Sequence, residues 1–313
     1  MGAEYLITGG AGFIGSNLAE QLVRDGKSVR VFDNFSTGRR ENLSGIKTKI
    51  EILDGDLRNI AEVRKAVVGV RYVLHVAALP SVQRSVEDPL TTHEVNVNGT
   101  LNLLIAARET RCQRVVLSSS SAVYGDTPTL PKREDMTPNP ISPYGASKII
   151  GEYYCHLFWQ LYGLETVSLR YFNVFGPRQD PQSEYAAVIP KFITNMLAGR
   201  SPTIFGDGTQ TRDFSHIDNV VEANLAACMA SKKALGESFN IACGERISLL
   251  ELVDTINRVT GKNITPKFDP ARPGDILHSQ ADVTKARELL GWNPGINFRE
   301  GIEKTIAWYR QPA

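Results

Sequence analysis

The 313-residue chain holds only four cysteines, too few to build a disulfide scaffold at that length. Cys112, Cys155, Cys228 and Cys243 show no CxxC pair and no zinc-type spacing, which points to reduced structural thiols. His75, His93, His156, His216 and His278 likewise show no ligand spacing, so no metal is expected. Excess charge of one sign is also missing, since 35 Lys plus Arg against 34 Asp plus Glu leave a formal net charge of +1. That balance supplies no global field, and neither nucleic acid nor an anionic membrane is expected as a partner. No run approaches the roughly 18 apolar residues of a membrane span. The chain enters a strand-like run at Tyr5-Leu6-Ile7 without a signal-peptide pattern. Met1-Gly2 opens like a myristoylation signal, but Leu6 stands where Ser or Thr is required. A soluble, cytoplasmic protein is the expectation.

Apolar side chains are plentiful. Hydrophobic residues make up 42% and charged residues 22%, which excludes disorder over most of the length. The length suits two domains or one large one. Over the first 120 residues, β-rich runs near 4–8, 28–32, 50–53, 71–76 and 114–118 alternate with helical patterns such as 17–23 and 101–107. Such alternation implies βαβ units with right-handed crossovers, hence an α/β fold with a doubly wound parallel sheet. After about residue 170 prolines punctuate shorter segments, with helices expected near 186–198, 216–231, 248–260 and 298–311. The reading is a nucleotide-binding domain over 1–169, to which 214–241 returns. A smaller α/β substrate-binding region at its C-terminal end takes 170–213 and 242–313.

The first strand runs into Thr8-Gly9-Gly10-Ala11-Gly12-Phe13-Ile14-Gly15. Gly9 permits a tight turn, Gly12 lets backbone approach a pyrophosphate, and Gly15 allows close packing of helix on strand. Phosphates would sit at the helix N-terminus, where free N–H groups and the dipole favour anions. This is a Rossmann-like arrangement. Asp33, at the end of the second strand, would accept from adenosine ribose hydroxyls and repel a 2′-phosphate, favouring NAD over NADP. Arg39 and Arg40 weigh the other way. Asp56, ending the third strand, suits an adenine amino group or a plain surface turn. Ala77-Ala78-Leu79 ends the fourth strand, where the chain would skirt the cofactor or simply pack.

The next strand ends in Ser118-Ser119-Ser120-Ser121, followed by Tyr124-Gly125. Farther on, Tyr144-Gly145-Ala146-Ser147-Lys148 places Tyr and Lys on one helix face, roughly 5–6 Å apart at Cβ. A free tyrosine titrates near 10, so lowering it by about three units needs about 4 kcal/mol of preference for the phenolate. Lys148 and a positively charged nicotinamide would supply it, with burial opposing.

These motifs resemble the extended short-chain dehydrogenase/reductases, and within them the nucleotide-sugar 4-epimerases. The likeness extends through Arg170-Tyr171-Phe172-Asn173-Val174-Phe175-Gly176-Pro177-Arg178, Gly206-Asp207-Gly208, Arg212-Asp213-Phe214 and Arg272-Pro273-Gly274-Asp275. It implies that a tyrosine takes the sugar 4-hydroxyl proton while C4 gives hydride to NAD. The 4-keto sugar then turns and receives hydride on its other face. By position Tyr144 is the base, Lys148 lowers its pKa and Ser120 bonds the reacting oxygen. Around the cofactor the resemblance places Phe13 and Ile14, then Asn34, Ser36, Thr37 and Gly38. It adds Leu57 beside Asp56, and also Ser118 and Tyr171. Asn96 is a further cofactor contact by likeness, with helix capping as the competing reading.

For a UDP-sugar the resemblance implies Ser81, Val82 and Ser121 near the sugar and Asn173 at the diphosphate or sugar. Ala187, Val188 and Phe205 would shape the uracil slot, with Lys191 and Thr203 beside it. Arg212 and Arg272 would clamp the diphosphate, and Asp275 would hold the uridine ribose. A small Ser279 at the place where a bulky residue excludes a 2-N-acetyl group implies UDP-GlcNAc/UDP-GalNAc interconversion alongside UDP-Glc/UDP-Gal. Ala122, just before Val123-Tyr124-Gly125, withholds the carboxyl group that related dehydratases and UDP-glucuronate decarboxylases carry there. A UDP-glucuronate 4-epimerase stays open through Arg84. From another class, a non-catalytic nucleotide-binding or redox-sensing scaffold is opposed by the intact Tyr144, Lys148 and Ser120. Homodimerisation is expected through helices near 90–110 and 145–163, the second apolar around much of its girth.

Overall fold

Short apolar strands and amphipathic helices alternate from the start of the chain, and a computed structural model describes residues 2–182, 187–271 and 277–311. Strands β1 (Tyr5–Thr8), β2 (Val29–Asp33), β3 (Ile50–Asp54), β4 (Tyr72–His75) and β5 (Arg114–Ser120) fall within two residues of the anticipated runs, and β6 (Glu165–Tyr171) extends the series. Then come β7 (Val174–Phe175), β8 (Thr203–Phe205), β9 (Thr211–Arg212), β10 (Ser215–His216), β11 (Ser238–Ile241), β12 (Ile247–Ser248) and β13 (Lys267–Asp269). The main sheet has the order β11-β6-β5-β4-β1-β2-β3. Every pairing in it is parallel, with Tyr5 opposite both Val29 and Tyr72. The chain reverses direction across the sheet between β1 and β4. At such a switch point the strand ends leave a crevice for a ligand.

Crossovers are made by α1 (Phe13–Arg24), α2 (Ile60–Val67), α3 (Val82–Glu87), α4 (Pro89–His93), α5 (Gly99–Glu109), α6 (Pro143–Tyr162) and, after β10, α8 (Ile217–Met229), with α7 (Val188–Leu197) between β7 and β8. Alternation along the strands buries both faces. Tyr5, Ile7 and Leu74 join one apolar cluster, whereas Leu6, Val73 and Leu117 join the other. A third cluster unites Phe175, Phe192, Ile204 and Phe214 with α9 (Leu249–Thr260) and, after α10 (Thr284–Leu290), α11 (Phe298–Tyr309) through Leu252, Ile256, Phe298 and Ile302. Its three small sheets are two or three residues long, β7 with β10, β8 with β13, and β9 with β12. Segments that short carry no legible period, so sequence patterning did not anticipate them. None of the described helices is long and apolar enough to cross a membrane.

Candidate active site

Gly9 leaves β1 at φ +68°, and a Cβ there would lie 2.7 Å from the Ala77 backbone leaving β4. A Cβ on Gly15 would lie 2.2 Å from the Gly9 carbonyl oxygen. The third glycine therefore lets α1 fold back onto its own turn, a closer approach than the helix-on-strand packing expected of it. Gly12 is the N-cap of α1, no side chain caps the helix, and its first turn holds no acid. Those amides and the positive end of the helix dipole stand ready for an anion. Phe13 and Ile14 lie half-buried in that first turn.

Asp33 closes the crevice at the end of β2. Its carboxylate accepts from the amides of Ala11 at 2.9 Å and Phe35 at 2.8 Å. Burial pushes its pKa up, and the two amides oppose that. Gly38 packs so closely that a Cβ would lie 3.0 Å from the Asp33 carboxylate. Arg39 pairs with Asp180 at 2.5 Å and Arg40 with Asp54 at 2.6 Å, so both cations that spoke for a 2′-phosphate have carboxylate partners. Asp56 accepts from Asn34 at 2.9 Å and pairs with Arg58, which holds it well below the usual carboxylate range. Ser36 and Thr37 are exposed beyond Asn34, and Leu57 is buried under Gly99. This cradle fits a dinucleotide with an unphosphorylated adenosine ribose: uncapped amides for the diphosphate, and a buried carboxylate where a further phosphate would be repelled.

Ala77 and Ala78 lead to Leu79, whose amide donates to the Asn96 side chain at 2.8 Å. The Asn96 amide group donates to the Leu79 carbonyl at 3.2 Å and to Ser147 Oγ at 3.1 Å. Asn96 lies in a π-helical stretch and Asn98 is the N-cap of α5, so capping is not its role. It clamps the loop after β4 to α6.

Ser142 caps α6, accepting from the Gly145 amide at 3.1 Å, with Pro143 in the first turn. The Tyr144 amide donates to Ser85 Oγ at 3.1 Å, tying α3 to this start. Tyr144 hydrogen-bonds Ser120. Burial pushes its phenol up, and the Ser120 bond opposes that. Lys148 donates to the Ser118 carbonyl at 2.7 Å, and its Nζ lies 5.7 Å from the centre of the Tyr144 ring. Burial drives the Lys148 ammonium down to about 8. Ser120 also accepts from the Ala122 amide at 3.2 Å, and Ser121 opens the turn that follows, half-buried. Ser118 and Tyr171 face the core instead. Their hydroxyls lie 3.0 Å apart, and Asn224 bonds the Tyr171 oxygen.

The second lobe holds a cavity of about 290 Å³ lined by Asn173, Ala187, Val188, Lys191, Thr203, Phe205 and Arg212, all anticipated, and by Phe192, Gln210, Phe214 and Leu249, which were not. Arg212 donates to the carbonyls of Thr211 at 3.0 Å and Leu277 at 3.2 Å. Ser279 is buried beside this cavity, accepting from Asn173 Nδ2 and from the Asp213 amide at 3.2 Å each. Asp213, part of the Arg212-Asp213-Phe214 motif but given no role there, accepts from the amides of Cys243, Gly244 and Ala281 at 2.9 to 3.0 Å. Ser81 caps α3, accepting from the Arg84 amide at 3.1 Å, and Val82 and Arg84 are exposed. Arg272 and Asp275 lie outside the described residues.

The family model described as the NAD dependent epimerase/dehydratase family matches residues 5–242. The chain is 42% identical over 314 aligned positions to the UDP-glucose 4-epimerase of Mycolicibacterium smegmatis, covering 97% of this chain and 98% of the relative. It is similar to the solved UDP-N-acetylglucosamine 4-epimerase of Methanobrevibacter ruminantium in complex with UDP-N-acetylmuramic acid, at 40% identity and TM-score 0.93, covering 98% of each chain. The UDP-glucose 4-epimerase of Thermotoga maritima with UDP-glucose matches at 37% identity and TM-score 0.93, again over 98% of each.

Proposed function

This chain belongs to the NAD-dependent epimerase/dehydratase family, and from that premise we propose that it interconverts the C4 epimers of UDP-hexoses. The pairs are UDP-GlcNAc/UDP-GalNAc and UDP-Glc/UDP-Gal. Residues 1–169 and 214–241 hold the cofactor, and 170–213 with 242–313 hold the nucleotide sugar. The observation that carries the reading is the meeting of Tyr144, Ser120 and Lys148 at the end of β5, beside a glycine turn that offers uncapped amides.

Bound NAD supplies a two-electron acceptor and donor for C4. All proton handling falls to the protein. Tyr144 Oη takes the proton of the sugar 4-hydroxyl and later gives it back, with Ser120 Oγ orienting that oxygen. The Lys148 ammonium favours the phenolate and would hold the nicotinamide ribose of a bound NAD. Arg212 meets the diphosphate, and Phe205 and Val188 flank the uracil, so the nucleotide stays anchored while the oxidised sugar turns over. Ser279, small and held by Asn173, leaves room for a 2-N-acetyl group. Supplying UDP-Glc, UDP-GlcNAc and UDP-glucuronate side by side tests the substrate range. The first two should yield their C4 epimers. Turnover of the glucuronate alone would contradict the assignment.

The chain also acts as a homodimer in this reading. Tyr153, Leu157, Leu161 and Tyr162 expose 42% to 66% of their surface on α6. The four-residue spacing of Tyr153, Leu157 and Leu161 places these three on one side of that helix, an apolar face fit for a second copy.

A further inference from the structure

One helical turn beyond Lys148, α6 places a second buried charge, Glu152, which is 5% exposed, against Arg170, 4% exposed on β6. Arg170 Nη2 reaches the carboxylate at 2.7 Å and its Nε at 3.0 and 3.1 Å. Ser238 Oγ donates to it at 2.9 Å, and Ser119 Oγ donates to it as well. Arg170 continues to the Tyr124 hydroxyl at 2.8 Å, and that hydroxyl donates to Asn240 at 2.6 Å.

A staple joining α6 to β5, β6 and β11 is one account of this cluster. An ion pair is a costly way to make it, because apolar residues of the same volume often stabilise a core as well or better. The neighbouring Lys148 gives the charge a use. The partner it contacts is a neutral carbonyl, that of Ser118. Residues four apart on a helix are neighbours, so the Glu152 carboxylate lies along the face that carries Lys148 and Tyr144.

We propose that Glu152 is a positioning residue, the counter-ion that keeps the Lys148 side chain charged and aimed along Tyr144. Arg170 holds that carboxylate in place through its Nε and Nη2. Burial lowers the ammonium, and Glu152 is the group that opposes it. The other charged and titratable groups on the elements around α6 do not supply this. His75 on β4 is buried and neutral, its pKa pushed down to about 3. On β5, Arg114 is paired with Glu165 of β6. Tyr171 of β6 and Tyr124 beyond β5 have their phenols pushed up to about 12. Arg84 and Glu87 on α3, His93 on α4, and Arg108 and Glu109 on α5 are exposed, and Glu94 after α4 is half-exposed.

The proposal rests on the roles given above to Tyr144 and Lys148, and its test is the pH profile of two substitutions of opposite sign. In Glu152→Gln, Lys148 faces Arg170 alone. The alkaline limb of turnover should move down by about one pH unit, with about fivefold less activity at pH 8 and nearly tenfold less at higher pH. In Arg170→Gln the same limb should move up. Structural damage has no reason to reverse its sign between the two, and if only one variant folds, its direction decides. A folded Glu152→Gln protein with an unmoved limb, or both limbs moving the same way, would overturn the proposal. A second readout needs no turnover. Tyrosinate absorbance of NAD-loaded protein, taken as the difference from Tyr144→Phe, should appear at higher pH in Glu152→Gln. Wild type that binds NAD but epimerises nothing would remove the functional reading, while this titration still tests Glu152.

Discussion

Tyr144 sits in surroundings that oppose its assigned task. Burial raises its phenol, and in the protein alone the Ser120 bond is the group that works against this. A base active near neutral pH therefore depends on the Lys148 charge and on the positive nicotinamide, and the phenolate forms only in the loaded site. Tyr144→Phe should cut turnover at least about a hundredfold, the lower end of what a positioned acid–base group contributes. Circular dichroism and bound NAD should stay unchanged; wild-type turnover in that variant would refute the base. Ser279 carries the second prediction at this scale. Ser279→Tyr fills the space beside Asn173 and should abolish activity on the N-acetylated pair while sparing UDP-Glc/UDP-Gal. Equal losses on both pairs, measured as kcat/KM, would remove its gatekeeper role.

Among the elements, β4 holds a device that pH can read. Thr100 Oγ donates to the Asn96 carbonyl at 2.6 Å, so it accepts from His75 Nε2 at 2.8 Å, and Nδ1 is left to accept from Thr8 at 2.8 Å. That network fits a neutral ring, and burial pushes the His75 pKa down from 6.5 to about 3. The unfolded chain then binds a proton that the fold refuses. The contribution of His75 to stability is complete above pH 6.5 and is lost as pH falls toward about 3, by a few kcal/mol in all. His75→Gln should flatten the fall of Tm between about pH 6.5 and pH 4. An unchanged slope would show that the ring titrates in the fold. The same scale explains what sequence makes visible. β1 to β5 and α1 were legible because apolar runs and a glycine turn are local signals. The roles of Glu152 and Asp213 were not, because their partners come from β6, β11 and the segments near 243 and 281. Glu152 left one trace, its four-residue spacing from Lys148. Seven residues of the sugar-side cavity were anticipated through likeness to a family, whereas Phe192, Gln210 and Leu249 belong to none of the quoted motifs.

For the molecule as a whole, the exposed apolar face of α6 predicts association. Light scattering coupled to gel filtration should give twice the 34.5 kDa mass of the chain. Leu157→Glu with Leu161→Glu should give a monomer, and a monomeric wild type would contradict the dimer. In the proposed epimerisation the hydrogen leaving C4 returns to the same carbon from the other side, with NAD as the group that would carry it. Running UDP-Gal to UDP-Glc in deuterium oxide, without added reductant, tests it most directly. The product should carry no deuterium at C4 by mass and NMR analysis; deuterium incorporated there would mean exchange with solvent, and the claim would fall.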